Sequence, residues 1–313
     1  MLQSSIASSA EIPTLNLAAD VVGQINQKAG ASPQIELTYE GTIKTVWLTI
    51  KPEPKPIFTL TLLNSINKVQ RAIHDLWGPD VYESSPVRFL AYRGEGPVYT
   101  LGGDLQFYLD CIGSGDRAGL EDYAIASREG AMWNASSLKG AAITIATVHA
   151  NALGGGIDAP RSCNVMIAER QATFCYPEVK FNHFPITAVA ILSRHMGPLN
   201  AFRTLSDARE LSAEEFKTLG GLEAVTEEGE GENWVRRYAE DTLASHSARL
   251  SLFSAFHRQT AAAFDAELAY LANNWVDSMM RMSSIDLARL QRIVVAQNRM
   301  LARAKPAPRT LVS

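Results

Sequence analysis

Two glycine bends and two acids are the residues whose types and spacing point to chemistry. The bends are Leu101-Gly102-Gly103-Asp104 and Gly154-Gly155-Gly156-Ile157-Asp158. Each follows an apolar stretch and precedes a helical pattern, so each reads as a strand-to-helix turn. Glycine lets the chain turn sharply there and lets a ligand approach the backbone closely. Helix N-termini add unpaired N–H groups at the positive end of a dipole. If the two bends face one another, two amide protons converge on a single oxygen and form an oxyanion hole. Asp158 and Glu178 lie 20 positions apart. Two carboxyls in one dry pocket have their pKa values driven apart, giving one acid and one base near neutral pH. Plainer readings stand beside these. Taken singly, each bend is an ordinary turn. Asp158, two positions ahead of Pro160, suits a helix N-cap, and Glu178 suits a surface acid at a strand end.

Other chemistries find no anchor. Neither bend spells G-x-G-x-x-G, no P-loop Lys-Ser/Thr follows, and a G-x-S-x-G nucleophile elbow is absent. The six histidines show no H-E-x-x-H spacing, so no metal site is expected. Cys111, Cys163 and Cys175 are odd in number and lack a CxxC pair. A disulfide framework is not expected, and a reducing, cytoplasmic location fits best. With 29 Lys+Arg against 33 Asp+Glu the formal net charge is -4, which argues against a general nucleic-acid binder. The N-terminus lacks a basic region followed by an apolar run, so no signal peptide is read. No apolar stretch approaches the ~20 residues that span a bilayer.

The elements that must position these groups follow from periodicity. Residues 1–33 read as an N-terminal extension holding one short amphipathic helix. IELTYEG and KTVWLTI alternate apolar and polar residues and read as two half-buried strands. Leu62, Ile66, Val69, Ile73 and Leu76 recur at helical steps. VRFLAYRG is a strand, Asp104 opens a helix, and another helix covers Leu120 to Leu138. AAITIATVHA is apolar enough for a strand buried on both faces. Strands follow at Asn164 to Ala168 and Ala172 to Tyr176. Strands alternating with helices indicate an α/β core, 34–225, with mostly parallel pairing. Beyond Thr187 the strand signals fade and helices are read at Leu199 to Leu211 and Ala213 to Leu219. The acidic stretch Thr226 to Glu232 reads as a solvated loop. After it, 226–313 forms a C-terminal helical lid or oligomerisation region, with Phe264, Leu268, Leu271, Trp275 and Met279 on one face and Ser283-Ser284 capping a last helix.

Taken together, Gly102-Gly103-Asp104-Leu105, then Ala152 to Asp158, then Tyr176-Pro177-Glu178-Val179 resemble the ordered motifs of the crotonase (enoyl-CoA hydratase/isomerase) superfamily. The nearest likeness is to the diffusible-signal-factor synthases, which make unsaturated fatty-acid signals used in quorum sensing. It rests on the first bend, on Pro177-Glu178-Val179 with Phe184-Pro185, and on Trp275 to Met280 running to Ala296-Gln297-Asn298-Arg299. The resemblance implies a crotonase-like spiral of ββα repeats with a C-terminal helical region, assembled as a homotrimer or a dimer of trimers. It implies no cofactor beyond the substrate's own carrier, coenzyme A or an acyl-carrier protein. Gly103 and Gly155 would polarise a thioester carbonyl, Glu178 would carry a proton at the α- or β-carbon, and Asp158 would orient the water or hydroxyl. Gly102, Leu153, Gly154, Tyr176, Phe184 and Trp275 would shape the substrate pocket. The implied activity is dehydration of a 3-hydroxyacyl thioester or hydration of a 2-enoyl one, with thioester cleavage as a further step. Two alternatives remain open: a double-bond isomerase using Glu178 alone, and a non-catalytic acyl-thioester-binding homologue. The chain also departs from the family pattern. Asp158 stands where Glu is usual, Ala150 where Gly is usual, and Ile186-Thr187-Ala188 where glycines are common, which implies a narrower pocket beside Glu178.

Overall fold

The computed structural model describes residues 13–303. In chain order the first half holds α1 (Pro13–Ala29), β1 (Ile35–Glu40), β2 (Thr45–Ile50), α2 (Leu60–Trp77), β3 (Phe89–Gly94), α3 (Leu105–Ser114) and α4 (Arg117–Ala135). The one-turn α5 (Ser137–Gly140), β4 (Ile143–Val148), β5 (Ala152–Leu153), the one-turn α6 (Asp158–Arg161), β6 (Val165–Glu169) and β7 (Thr173–Cys175) follow. The remainder is α7 (Ala188–Asp207), β8 (Leu211–Ser212), α8 (Ala213–Thr218), β9 (Ala224–Thr226), α9 (Gly231–Leu243), α10 (His246–Met280) and α11 (Ser284–Arg303).

The main sheet has the order β1-β2-β3-β4-β6-β9 and is parallel apart from the β1–β2 hairpin. Its central strands are covered on both faces, because alternate residues enter different apolar clusters. Val46, Leu48, Leu90 and Tyr92 face the large core with Leu62, Ile66, Val69 and Ile73 of α2. Trp47, Phe89, Ala91, Ile143 and Ile145 face the other way, against Val235 and Ala239 of α9 and Leu250 of α10. KTVWLTI is therefore not half-buried. Every residue of β2 is buried, since β1 and β3 flank it and helices close both faces. Val21 and Ile25 of α1 join the same core as α2; residues 1–12 of the segment read as an extension lie outside the described residues.

A second, smaller sheet carries the functional segments. β5 pairs with β7 in parallel, and β7 with β8. Isolated parallel bridges, Thr100 to Ala152 and Phe58 to Gly103, extend it. Strands β8 and β9 fall beyond Thr187, where the periodicity shows no strand. With two and three residues, they are too short for a period-two signal to register. The helix read from Leu199 begins at Ala188 and is broken at Gly197-Pro198, where Gly197 has φ 75°. Ser283 caps the last helix as expected, its Oγ accepting from the Asp286 N–H at 3.2 Å. No helix is long and apolar enough to cross a membrane among the described residues.

Candidate active site

The two bends meet. The bridge between Thr100 and Ala152 runs their strands side by side, and Leu153 N–H donates to Thr100 O at 3.1 Å. Beyond that bridge the chains turn together. A β-carbon on Gly156 would lie 3.0 Å from the Gly102 Cα, and one on Gly102, at φ +98°, would lie 3.1 Å from the Leu153 carbonyl oxygen. Only glycine permits backbones this close, and Gly102 also needs the left-handed region that other residues avoid.

Glu178 arrives from the other side of the same sheet. Pairing of Leu153 with Cys175 sets residues 176–178 beside the second bend. A single 3-10 turn, Glu178–Phe181, ends on Asn182 at φ 60° and turns the Glu178 side chain inward, 9% exposed. Its Oε1 accepts from the Gly155 N–H at 2.9 Å, while Oε2 is buried without a partner. A β-carbon on Gly154 would collide with that carboxyl, which explains the glycine. The Gly103 N–H donates to nothing among the described residues. Gly103, Gly155, Asp158 and Glu178 all line one cavity of about 80 Å3.

Asp158 is not an N-cap. It is the first residue of α6, and Ile157 takes the cap position with no side-chain bond. Its carboxyl, 4% exposed, accepts from Tyr176 Oη at 2.8 Å and from Thr187 Oγ1 at 2.7 Å. Tyr176 thus stands behind Asp158 and does not line the cavity, and neither do Gly102, Leu153 and Gly154, which shape the bends instead. Phe184 and Trp275 do line it. Ile186 and Thr187, where glycines were the family expectation, also form its wall.

Burial sets the charge state of both acids. Removal from water raises the Asp158 carboxyl to about 7, against the opposing bonds from Thr187 and Tyr176. It raises Glu178 to about 8, opposed by backbone hydrogen bonds and reinforced by the Asp158 charge. In the folded protein both groups hold protons that the unfolded chain would release near 3.8 and 4.5. Their contribution to stability is complete below about pH 4 and drains away as pH rises to about 7 for Asp158 and about 8 for Glu178. Melting temperature is expected to fall across that window. Asp158→Asn and Glu178→Gln should each flatten the fall, as differential scanning calorimetry at several pH values would read.

Periodicity did not single out several wall residues. Tyr108 packs edge-on against Tyr123 and Trp275, with ring centroids 5.0 Å apart in each pair. His183, 6% exposed, lies 5.5 Å from the Trp275 ring, and burial lowers its pKa to about 4, so it is neutral. Its Nε2 has no partner. The C-terminal helices fasten this wall. Gln297 of α11 donates to the Leu101 carbonyl at 3.1 Å, and Asp286 accepts from Asn182 at 3.2 Å. Among the described residues no cluster of three or more His, Cys, Asp or Glu is arranged to hold a metal ion.

Two glycine bends and two buried carboxyls thus meet at one cavity beside the parallel sheet. Residues 98–288 match the enoyl-CoA hydratase/isomerase family profile. The chain belongs to that family. It is 27% identical over 188 residues to a mevalonyl-coenzyme A hydratase of Beauveria bassiana, a match covering 57% of this chain and 66% of that one. It is 25% identical over 135 residues to a probable enoyl-CoA hydratase of Bacillus subtilis, covering 43% of this chain and 50% of that one. These matches thus span between half and two thirds of the relatives' lengths. The fold superposes on an enoyl-CoA hydratase of Bacillus halodurans with a TM-score of 0.72 at 17% identity, covering 83% of this chain and 99% of that one. An enoyl-CoA hydratase/isomerase of Xanthobacter autotrophicus Py2 gives 0.71 at 18% identity, covering 87% and 97%. The α/β architecture with a C-terminal helical region is the crotonase fold.

Proposed function

We propose that this protein interconverts 2-enoyl and 3-hydroxyacyl thioesters by adding or removing water. One observation supports this most. The Gly155 amide already holds a carboxyl oxygen, the Gly103 amide is unpaired, and two buried acids share their cavity. In hydration the thioester carbonyl takes the place of Glu178 Oε1 on Gly155 and accepts a second bond from Gly103. Charge then accumulates on that oxygen where donors are already fixed, worth roughly 3 kcal/mol per donor in the barrier. Asp158, the weaker proton holder, accepts a proton from water as the water oxygen bonds to C3. Glu178, protonated at neutral pH, delivers its proton to C2, and the C2–C3 double bond becomes single. Dehydration reverses each transfer. Coenzyme A in the names of both sequence relatives supports it as the carrier.

A second reading, double-bond isomerisation with Glu178 as sole proton carrier, draws on the two hydroxyls that occupy both oxygens of Asp158. Asp158→Asn separates the two. Hydration is expected to fall at least ~100-fold on losing a general base, whereas isomerisation of a 3-enoyl thioester would persist. The direct test incubates the protein with 2-enoyl-CoA, 3-enoyl-CoA and 3-hydroxyacyl-CoA of several lengths, following the acyl products and free thiol together. Reversible formation of the 3-hydroxyacyl product is expected. Release of thiol with an unsaturated acid would extend the reading to the signal-synthase branch. Stabilisation by acyl-CoA with no product at all would leave a binding protein and overturn it.

A further inference from the structure

The cavity has a polar wall that the chemistry above does not use. α2 supplies Leu63, Ile66 and Asn67, and α4 supplies Ser127, Gly130, Ala131 and Asn134. Asn67 is 1% exposed, and its Nδ2 donates to the Ala126 carbonyl at 2.9 Å. A carbonyl accepts only, so this bond fixes which way the amide faces and leaves Oδ1 as the remaining atom. Asn67 Oδ1 is buried with no partner. The absent side chain of Gly130 keeps space open in front of it, for a β-carbon there would sit 2.8 Å from Oδ1. Tyr99, 4% exposed, opens on the same cavity, and its hydroxyl is also buried and unpaired.

Two such groups in an acyl pocket are costly if the pocket receives only hydrocarbon. A buried acceptor left unsatisfied loses its full desolvation penalty, whereas an apolar residue of the same size loses nothing. Among neighbouring polar atoms, Tyr92 Oη donates to Asn134 Oδ1 at 2.8 Å and Asn134 Nδ2 to Ser162 Oγ at 3.0 Å, while Gln70 Oε1 beside them is unpaired. Asn67 Oδ1 and Tyr99 Oη thus join Glu178 Oε2 and His183 Nε2 as buried, unpartnered atoms of cavity-lining residues, and neither Asn67 nor Tyr99 takes part in the chemistry above.

We propose that the acyl group carries a hydroxyl beyond C3, which donates to Asn67 Oδ1 in the cavity that Tyr99 also lines. The oxygens on C1 and C3 are already matched by the glycine amides and the acids, so this is a third oxygen. The inference rests on the acyl-thioester reading and names its substrate class as short, tail-hydroxylated acyl thioesters. The small cavity favours short chains.

The test pairs ω-hydroxy-2-enoyl-CoA thioesters of four to six carbons with their unsubstituted counterparts. The saturated pairs, which cannot be hydrated, are titrated by calorimetry. The wild-type protein is expected to prefer at least one hydroxylated member by at least ~10-fold in kcat/KM and in affinity. Asn67→Leu should abolish the preference mainly through KM. Gly130→Ala, which crowds Oδ1 while leaving Asn67 in place, should act like Asn67→Leu. Equal values for hydroxylated and plain chains at every length in the wild type would overturn the proposal while hydration stood. Preferential binding of saturated hydroxyacyl-CoA with no turnover of any enoyl thioester would sink the hydratase reading and keep this one.

Discussion

Glu178→Gln should lower hydration of a 2-enoyl-CoA by at least ~100-fold, the usual effect of removing a general acid. The substitution is chosen because a glutamine side-chain carbonyl still accepts from the Gly155 N–H, as Glu178 Oε1 does. The buried position is kept and the proton is lost. Circular dichroism and binding of saturated acyl-CoA should therefore stay near wild type while kcat falls. The pH profile offers a second check. With apparent pKa values of about 7 and about 8 for the two acids, kcat/KM should follow a narrow bell, since one carboxyl must be charged and the other protonated. Asp158→Asn should remove the acidic limb. Hydration at a near-normal rate by Glu178→Gln would take Glu178 out of the mechanism.

Gly103→Ala should be nearly as damaging, for a steric reason that the sequence hides. Gly103 lies outside the positive-φ residues, so its backbone conformation accommodates alanine. The new methyl would instead run into the Tyr108 hydroxyl and approach that of Tyr123 to 3.0 Å. Tyr108 has no room to yield, wedged edge-on against Tyr123 and Trp275. The bend must move, carrying the Gly103 amide with it. Misplacing one oxyanion donor costs about 100- to 1000-fold in kcat. Tyr108→Phe in the same chain removes the clashing oxygen but leaves the ring carbon Cζ 3.0 Å from the methyl, so a partial recovery of roughly 10-fold or more is expected. Stopped-flow assays of the two single variants and the double variant read this directly. Full activity in Gly103→Ala would remove that amide from the oxyanion hole.

The glycine bends, Asp158 after the second of them, and their order along the chain were legible in the sequence because such features are local. A tight turn needs glycine whatever surrounds it, and a carboxyl at a fixed offset from a bend is carried by that bend. The parallel core was legible for the same reason, since strands buried on both faces read as unbroken apolar runs. What periodicity left out are contacts made by one or two residues. The bridges Thr100–Ala152 and Phe58–Gly103 and the short strand pair β5–β7 bring the bends and Glu178 together, and none is long enough to leave a repeat.

Only the tertiary structure decided what each carboxyl touches. Asp158 reads as a cap from its position before Pro160 and as a catalyst from the family resemblance. Packing excludes the cap, because Ile157 takes that position and Tyr176 and Thr187, 18 and 29 positions away, converge on the two oxygens of Asp158. Tyr176 passes from expected pocket wall to buttress by the same contact. The sequence by itself determined a crotonase-type core with two amides and two acids, since those are properties of short segments. The folded chain decided that Glu178 rests on Gly155, that Tyr108 and Trp275 close the cavity, and that Asn67 and Tyr99 face it unpaired. Side chains far apart in sequence meet only when the core excludes water between them, and no local pattern records that meeting.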